Sequence, residues 1–211
     1  MTPELTVLLS ELETFGHAND EQVADHSAKM LNITRDTGQF LAMLVRLQRP
    51  TRILEVGTSN GYSTLWLADA ARAGSGLVET IERNPHKLAL ARDTFCRAGV
   101  ADVITQIEGD AATVLARIAD ETYEFIFLDS KRTEYVAWWP DLCRILRPGG
   151  VIVCDNATSH PQEFVPFNDI VARTPGFTTV LVPVGKGELL ILDERAPGQI
   201  DPPTWKPGDP Q

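Results

Sequence analysis

Residues 53–63, ILEVGTSNGYS, decide the fold. Ile53 to Val56 is a short, largely apolar run that reads as a buried strand, Gly57 starts a turn, and a helix opens near Gly61-Tyr62-Ser63. A strand that turns on glycine directly into a helix is half of a strand–helix–strand unit. Outward from this stretch the unit repeats. Strand 52–56 precedes helix 61–73, strand 77–82 precedes helix 85–98, and strand 103–108 precedes helix 111–119. Strand 123–128 then precedes a helix around 134–146, and strand 150–154 leads to helix 163–173. Short apolar strands alternating with helices predict a doubly wound parallel sheet covered on both faces.

The two ends depart from this rhythm. Helical periods at 4–15 and about 21–31, with an apolar helix at 38–47, predict N-terminal helices packed on the core over residues 1–50. Strands 178–183 and 188–193 are joined by Val184-Gly185-Lys186-Gly187, too short a link for a helical crossover, so they form an antiparallel hairpin. The expectation is an α/β, Rossmann-like sheet of seven mostly parallel strands with a C-terminal antiparallel hairpin. The core spans 51–195, and the Pro/Gly-rich stretch 196–211 is an irregular tail pinned by Trp205.

Composition excludes several function classes. Nineteen basic against 29 acidic residues give a formal charge of -10, the wrong sign for a broad nucleic-acid surface. No run of 18 apolar residues and no secretory segment are present, so neither membrane spanning nor export is expected. Cys96, Cys143 and Cys154 lack zinc or CxxC spacing and read as thiols in a reducing cytoplasm.

Strand ends carry the chemistry, because open α/β sheets bind ligands at the carboxyl ends of their strands. Gly57 and Gly61 let a ligand approach the backbone, but their GxxxG spacing is not a dinucleotide fingerprint, and the loop holds no cation for a pyrophosphate. Glu55 would repel a diphosphate and accept from an ammonium group, which favours an amino-acid-bearing ligand over a nicotinamide cofactor. Glu82, 25 residues past Gly57, ends the second strand where a carboxylate accepts ribose hydroxyls. Asp110 stands where it can flank an adenine, cap the next helix, or do both.

Asp129, in FIFLDSKRTEY, and Asp155-Asn156, in GGVIVCDNATSH, end the fourth and fifth strands. Two carboxylates and an amide oxygen form a hard donor set suited to Mg²⁺, with Ca²⁺ or Mn²⁺ as alternatives. The competing reading is an Asx-turn at Asp155-Asn156 and a helix cap at Asp129. Lys131 can serve as a base if desolvated, whereas Arg132 stays charged. His160, four residues past Asn156, is either a second candidate base or a surface loop residue. Tyr135, Trp138 and Trp139 read as core, and Lys186 as a hairpin tip.

In order, GQFLAML (38–44), ILEVGTSNGYST (53–64), VETIERN (78–84), EGDA (108–111), FIFLDSKRTEY (125–135), ILRPGGVIVCDN (145–156) and PVGKGELLI (183–191) form a recognisable set. It resembles the class I S-adenosylmethionine-dependent O-methyltransferases of the metal-dependent catechol and caffeoyl-coenzyme A type, above all their small bacterial branch. The resemblance covers roughly residues 28–193. It implies that Glu55, Gly57, Ser59, Gly61 and Ser63 surround the methionine part of the cofactor, with Ile33 and Thr34 lining the same site. It assigns Glu82 to the ribose, Asp110 and Ala111 to the adenine, and Asp129 with Asp155 and Asn156 to a divalent ion, Asp129 also touching the cofactor. Homodimerisation is a further implication.

One position departs from the family pattern. Family enzymes place a lysine base three residues after the first metal-binding aspartate, but here that residue is Arg132 and the lysine is Lys131. A shift of one residue at a helix start turns a side chain by about 100°, so Lys131 does not inherit the role directly. Little sequence precedes the first helix, which speaks against a coenzyme A ester as acceptor.

The leading expectation is a cytoplasmic O-methyltransferase acting on a small, catechol-like hydroxyl acceptor, with Asp129, Lys131 and Arg132 at the reacting centre. Loops 33–38, 130–136 and 157–168 shape the acceptor pocket. The rivals are a metal-independent methyltransferase with Lys131 or His160 as base, and a non-catalytic protein that binds the methyl donor for regulation or scaffolding.

Overall fold

A computed structural model describes residues 1–197. Seven strands form one sheet in the order β3-β2-β1-β4-β5-β7-β6. They are β1 Arg52–Val56, β2 Leu77–Glu82, β3 Ile104–Glu108, β4 Tyr123–Leu128, β5 Leu146–Cys154, β6 Phe177–Val182 and β7 Glu188–Asp193. The first five run parallel, and β7 pairs antiparallel with both β5 and β6. Strand order reverses between β1 and β4, the point at which doubly wound sheets open a crevice for ligands.

Period-two alternation decides which helices cover which face. Ile53, Phe125 and Phe127 point into a core shared with α1 (Pro3–Gln22), α2 (Arg35–Gln48), α3 (Tyr62–Arg72) and α4 (Pro85–Ala98). Leu54, Val56, Ile126 and Leu128 point the other way, onto α5 (Ala111–Leu115), α6 (Tyr135–Ile145) and α7 (Pro161–Arg173). The N-terminal helices thus share the sheet's own core, since Leu5, Leu9 and Leu41 join Ile53 in it. Among the described residues, no helix is long and apolar enough to cross a membrane.

Local chemistry sets the element ends. Asn84 caps α4 by accepting from His86 N, Pro85 occupies its first turn, and Gly99 closes it at φ 65°. The N-terminus differs from the two-helix expectation: α1 runs unbroken to Gln22, and only a short 3-10 turn follows at His26–Ala28. Gly16 sits inside the helix against Asn32, where a Cβ would lie 2.6 Å from the amide nitrogen. Asp20 then accepts from the amides of Met30 (2.6 Å) and Leu31 (2.9 Å), folding the chain back without a second helix.

Strand β5 starts at Leu146, earlier than the sequence suggests. Tyr123 pairs with Leu146 and Phe125 with Val151, so the Arg147–Gly150 segment bulges out of the ladder, with Gly149 at φ 79°. Residues 198–211, including the proposed Trp205 pin and most of the expected tail, lie outside the described residues.

Candidate active site

The strand ends are stitched to one another in steps. Gly57 N donates to Ile81 O (3.0 Å), Asp129 N to Val56 O (3.0 Å) and Asp155 N to Leu128 O (3.1 Å). Each loop therefore leaves the sheet resting on its neighbour, and the loops of β1, β4 and β5 converge at one edge. Gly57 adopts φ 110°, and a Cβ there would stand 2.1 Å from the Asp129 carbonyl oxygen. Only glycine allows the β1 and β4 loops to meet this closely.

On the β1–β3 side, Glu82 organises the turn. Its carboxylate accepts from Ser59 N (3.0 Å), Arg83 N (3.0 Å) and Asn84 N (2.9 Å). A carboxylate offers about four lone-pair sites, so capacity remains for a ligand hydroxyl. Ser59 Oγ donates to Met30 O (2.7 Å), tying the segment before α2 to the loop after β1. Asp110 caps α5 through Thr113 N (3.2 Å), and Ala111 opens that helix. A cleft here brings together Gly57, Glu82, Asp110 and Ala111 with Ser130 and Lys131. Arg83, Gly109, Glu134 and Trp138 complete its walls; nothing in their sequence spacing marks them as lining residues.

Glu55 lies one layer beneath. It is fully buried and accepts from the hydroxyls of Ser63 (2.6 Å), Thr64 and Thr80 (2.6 Å). Burial pushes its carboxyl up to about 7, against the pull of these three hydroxyls. Ser63 is thereby directed at Glu55, while Gly61, at φ 85°, opens α3. Ile33 is buried in the core, and Thr34 caps α2 through Thr37 N (3.1 Å).

The β4–β5 side is assembled differently. Asp155 is buried and Asn156 nearly so; Asn156 adopts φ 70°, and its Nδ2 donates to Asp155 Oδ2 at 2.7 Å. Burial raises the Asp129 carboxyl well above its ordinary value, and the charges of Asp155 and Glu55 raise it further. Burial likewise raises Asp155. Lys186 and Arg132 oppose both shifts.

A further acid completes this side. Antiparallel pairing sets Cys154 beside Leu189, and one more step of that register sets Asp155 beside Glu188. Glu188 is fully buried. Its Oε1 accepts from Thr37 Oγ1 at 2.9 Å, and its carboxyl shares a hydrogen bond with the Asp155 side chain. Burial, then the charge of Asp155, push its carboxyl upward. The hairpin carrying it is fastened over the site: Lys186 O accepts from Thr158 N (3.0 Å) and Ser159 N (3.2 Å), and Gly187 O from Ala157 N (2.8 Å). Lys186 thus sits at the rim of the acid cluster, although its sequence marks only a hairpin tip.

The residues after Asp129 divide between the two sides. Lys131 is exposed, pairs with Glu134 at 3.0 Å and lines the cleft. Arg132 pairs with Glu163 of α7 at 2.8 Å. The Tyr135 hydroxyl accepts from Ser130 N (3.0 Å) and donates to Ser130 O (3.2 Å), fixing the loop from the buried side. Trp138 and Trp139 are core residues, as their spacing predicts. His160 lies exposed at the start of α7, its Nδ1 2.9 Å from Ser159 Oγ.

Among the described residues, no three His, Cys, Asp or Glu side chains form a group able to hold an ion by themselves. The available donor set is Asp129, Asp155 and the Asn156 amide oxygen. Burial and the charge of Asp155 raise Asp129, and burial raises Asp155, so each binds protons more readily than a free carboxyl and a cation at this edge would take the protons' place. That chemistry fits a hard divalent cation.

The O-methyltransferase family profile matches residues 8–193. A protein of Mycobacterium sp. (strain JLS), named a candidate O-methyltransferase, is 33% identical over 171 residues, covering 75% of this chain and 77% of the relative. An O-methyltransferase from Bacillus cereus, solved in complex with SAH, superposes with a TM-score of 0.76 at 26% identity, covering 89% of this chain and 90% of that one. The O-methyltransferase TomG from Streptomyces achromogenes, solved with SAM, superposes with a TM-score of 0.73 at 26% identity, covering 92% and 90%.

Proposed function

This chain belongs to the class I S-adenosylmethionine-dependent O-methyltransferase family, and on that premise we propose that it methylates a hydroxyl of a small catechol-like acceptor with the help of a divalent ion, Mg²⁺ before Ca²⁺ or Mn²⁺. The observation that carries the ion is the convergence of Asp129, Asp155 and Asn156 at adjacent strand ends, where burial raises both carboxyls and the charge of Asp155 raises Asp129 further. Once bound, S-adenosylmethionine supplies the electrophilic methyl group, and the ion supplies charge that lowers an acceptor hydroxyl's pKa.

The chain's own residues bind and orient. Glu82 has acceptor capacity left for ribose hydroxyls after its three amide bonds. Gly57 keeps the β1 loop free of a side chain where the cofactor enters, and Asp110 with Ala111 borders the adenine end of the cleft. Glu55 acts from below, directing Ser63 and Thr64, with its carboxylate attracting a cationic amino group. Asp129 faces both sides, since its carbonyl touches Gly57 and its carboxyl belongs with Asp155.

Arg132 stays cationic and bound to Glu163, so it contributes field and not proton transfer. Lys131 is engaged on the cleft side with Glu134, which favours a role bordering the cofactor over one at the acceptor oxygen. Alignment of the two reactants is then the main contribution of the protein. We assign the enzyme to the cytoplasm as a homodimer, as the family resemblance implies.

The test is D155N. Calorimetry should show cofactor binding nearly intact while Mg²⁺-stimulated turnover of a catechol disappears. Turnover equal to that of the wild type would remove the ion from the reading.

A further inference from the structure

Between α1 and α2 the chain crosses residues 29–34 without helix or strand. Side chains from α1, the β1 loop and α4 hold its backbone there. Asn19 Nδ2 donates to Ala28 O (3.1 Å), Lys87 Nζ to Lys29 O (2.6 Å) and Ser59 Oγ to Met30 O (2.7 Å), while Asp20 takes the amides of Met30 and Leu31. The Lys29–Met30 peptide bond is therefore held at both its carbonyl oxygen and its nitrogen. Two non-glycine residues beside it adopt left-handed backbone, Leu31 at φ 53° and Ser59 at φ 49°. Such conformations cost free energy and persist where the surroundings over-determine them. The cation is the costly part of the arrangement. Lys87 is half-buried, which lowers its ammonium from the ordinary value, and the charges of Glu82, Asp20 and Asp129 oppose that shift. A loop carbonyl needs no more than water, so an ammonium withdrawn from solvent to reach Lys29 O ties this segment to the acids of the cofactor half.

We propose that residues 28–31 are a strap closed over the β1 loop, and that Lys87 is the positioning residue that latches it in the cofactor-binding arrangement. The inference rests on the cofactor half of the reading above and is independent of the ion. Ser59 is the link. Its amide donates to Glu82 and its hydroxyl to Met30 O, so one residue joins the strap to the carboxylate offered to the ribose. A ligand on Glu82 holds Ser59 in place and Met30 with it, whereas a strap that lifts from Ser59 frees that residue to turn away from Glu82. Apolar packing supplies one anchor, buried Met30, with Leu31 exposed beside it. The side-chain hydrogen bonds therefore decide whether the strap stays down. Coupling of this kind is reciprocal: the cofactor tightens the strap by the factor by which the latched strap tightens the cofactor. Lys87 acts through Lys29 O, one residue from the Ser59 contact, so its effect falls on affinity and release and not on the reacting atoms.

Trypsin cuts after lysine, and Lys29 carries the carbonyl that Lys87 holds, so cleavage at Lys29–Met30 reports local opening of the strap. The experiment follows that cut by mass spectrometry, with and without SAH, in wild type, K87M, K87R and D20A. Beside it stand SAH dissociation rates and the KM and kcat for S-adenosylmethionine. Saturating SAH should slow the wild-type cut about 10-fold, the scale of one charged hydrogen bond. K87M keeps the apolar stem and loses the donor. Without SAH it should be cut about 10-fold faster at Lys29, and its SAH dissociation rate and KM should rise by about the same factor. Its kcat should fall by no more than about threefold, because the reacting atoms are untouched. K87R should recover most of these changes, and D20A, which releases the strap from the α1 side, should reproduce K87M. A wild-type cut that SAH leaves unchanged would overturn the coupling, and an unchanged cut in K87M would remove Lys87 as the latch. Faster cleavage of K87M at Lys29 with an unaltered SAH dissociation rate would overturn the inference as well. So would faster cleavage of K87M at every site, since that is how a merely structural lysine behaves. Wild type that binds no SAH would overturn both this inference and the cofactor reading beneath it.

Discussion

Two halves of one sheet edge hold acids in opposite ways. On the cofactor half, Glu55 receives three hydroxyls and Glu82 three backbone amides, so each carboxylate is supplied with donors by the fold itself. On the acceptor half, Asp129 and Glu188 both feel the charge of Asp155, Asp155 and Glu188 share a hydrogen bond, and the other side-chain donors are Asn156 and Thr37. Both halves use buried or half-buried acids at strand ends, so burial alone does not separate them. The source of compensating charge does. The first half is supplied with donors by the fold, whereas the second gathers acids with few donors, the place where the reading proposed above puts a cation.

The largest expected effect tests that dependence directly. D155N should cut ion-stimulated turnover about 1000-fold, the scale of several kcal/mol of metal-derived charge stabilisation, while cofactor affinity changes less than threefold. A fall in cofactor affinity of the same size would merge the two halves into one site. Next comes E55Q, read as stability against pH. The Glu55 carboxyl lies at about 7 in the folded protein against an ordinary 4.5. The native state therefore binds more protons than the unfolded state across this window, and stability falls as pH rises from 4.5 to 7, then levels off. E55Q should remove about 3 kcal/mol of that fall, seen in urea titrations at pH 5 and pH 7.5. An unchanged slope would place the pH dependence wholly on the acceptor half.

A smaller effect falls on Glu82. E82Q should weaken cofactor binding by about 10-fold, the loss of one charge-assisted hydrogen bond, without altering Mn²⁺ affinity in calorimetry. The smallest belongs to Lys131. Because it is exposed and paired with Glu134, K131A should change kcat less than about threefold, the scale of a surface ion pair. A hundredfold loss would instead bring Lys131 across to the acceptor oxygen.

Most of this division was legible in the sequence where physics is local. Strands 52–56, 77–82, 123–128 and 188–193 have the expected bounds because each is an apolar run with turn residues on its flanks. Helix 85–98 does as well, between Asn84-Pro85 and Gly99. The long α1 was less legible, because the periods at 4–15 and 21–31 read as two helices, and the fold-back that Asp20 makes with Met30 and Leu31 leaves no local mark. The early start of β5 was hidden by Pro148-Gly149-Gly150, which signals a turn and is in fact a bulge within the strand.

Within the site, Asp129, Asp155 and Asn156 stand out as oxygen donors directly after apolar strands. Glu188 does not, because a polar residue at the start of ELLILD looks like an ordinary strand end. Its significance depends on the antiparallel register with β5 and on a hydroxyl far away in the chain, and neither leaves a local mark. Lys131 and Arg132 could be picked out by type, but only the partners Glu134 and Glu163 settle the direction of each.

The Thr37–Glu188 hydrogen bond also bears on the order of assembly. Its partners are 151 positions apart, whereas the contacts that supply Glu55 span 8, 9 and 25 positions and those that supply Glu82 no more than 23. Closing a longer loop costs more entropy before any contact rewards it. The cofactor cradle is therefore the early-forming half, and the acceptor half waits for β7 to enter between β5 and β6. A folding intermediate lacking that last strand would hold an organised nucleoside cleft beside an open, water-filled acid edge, binding the methyl donor before it has anywhere to send the methyl group.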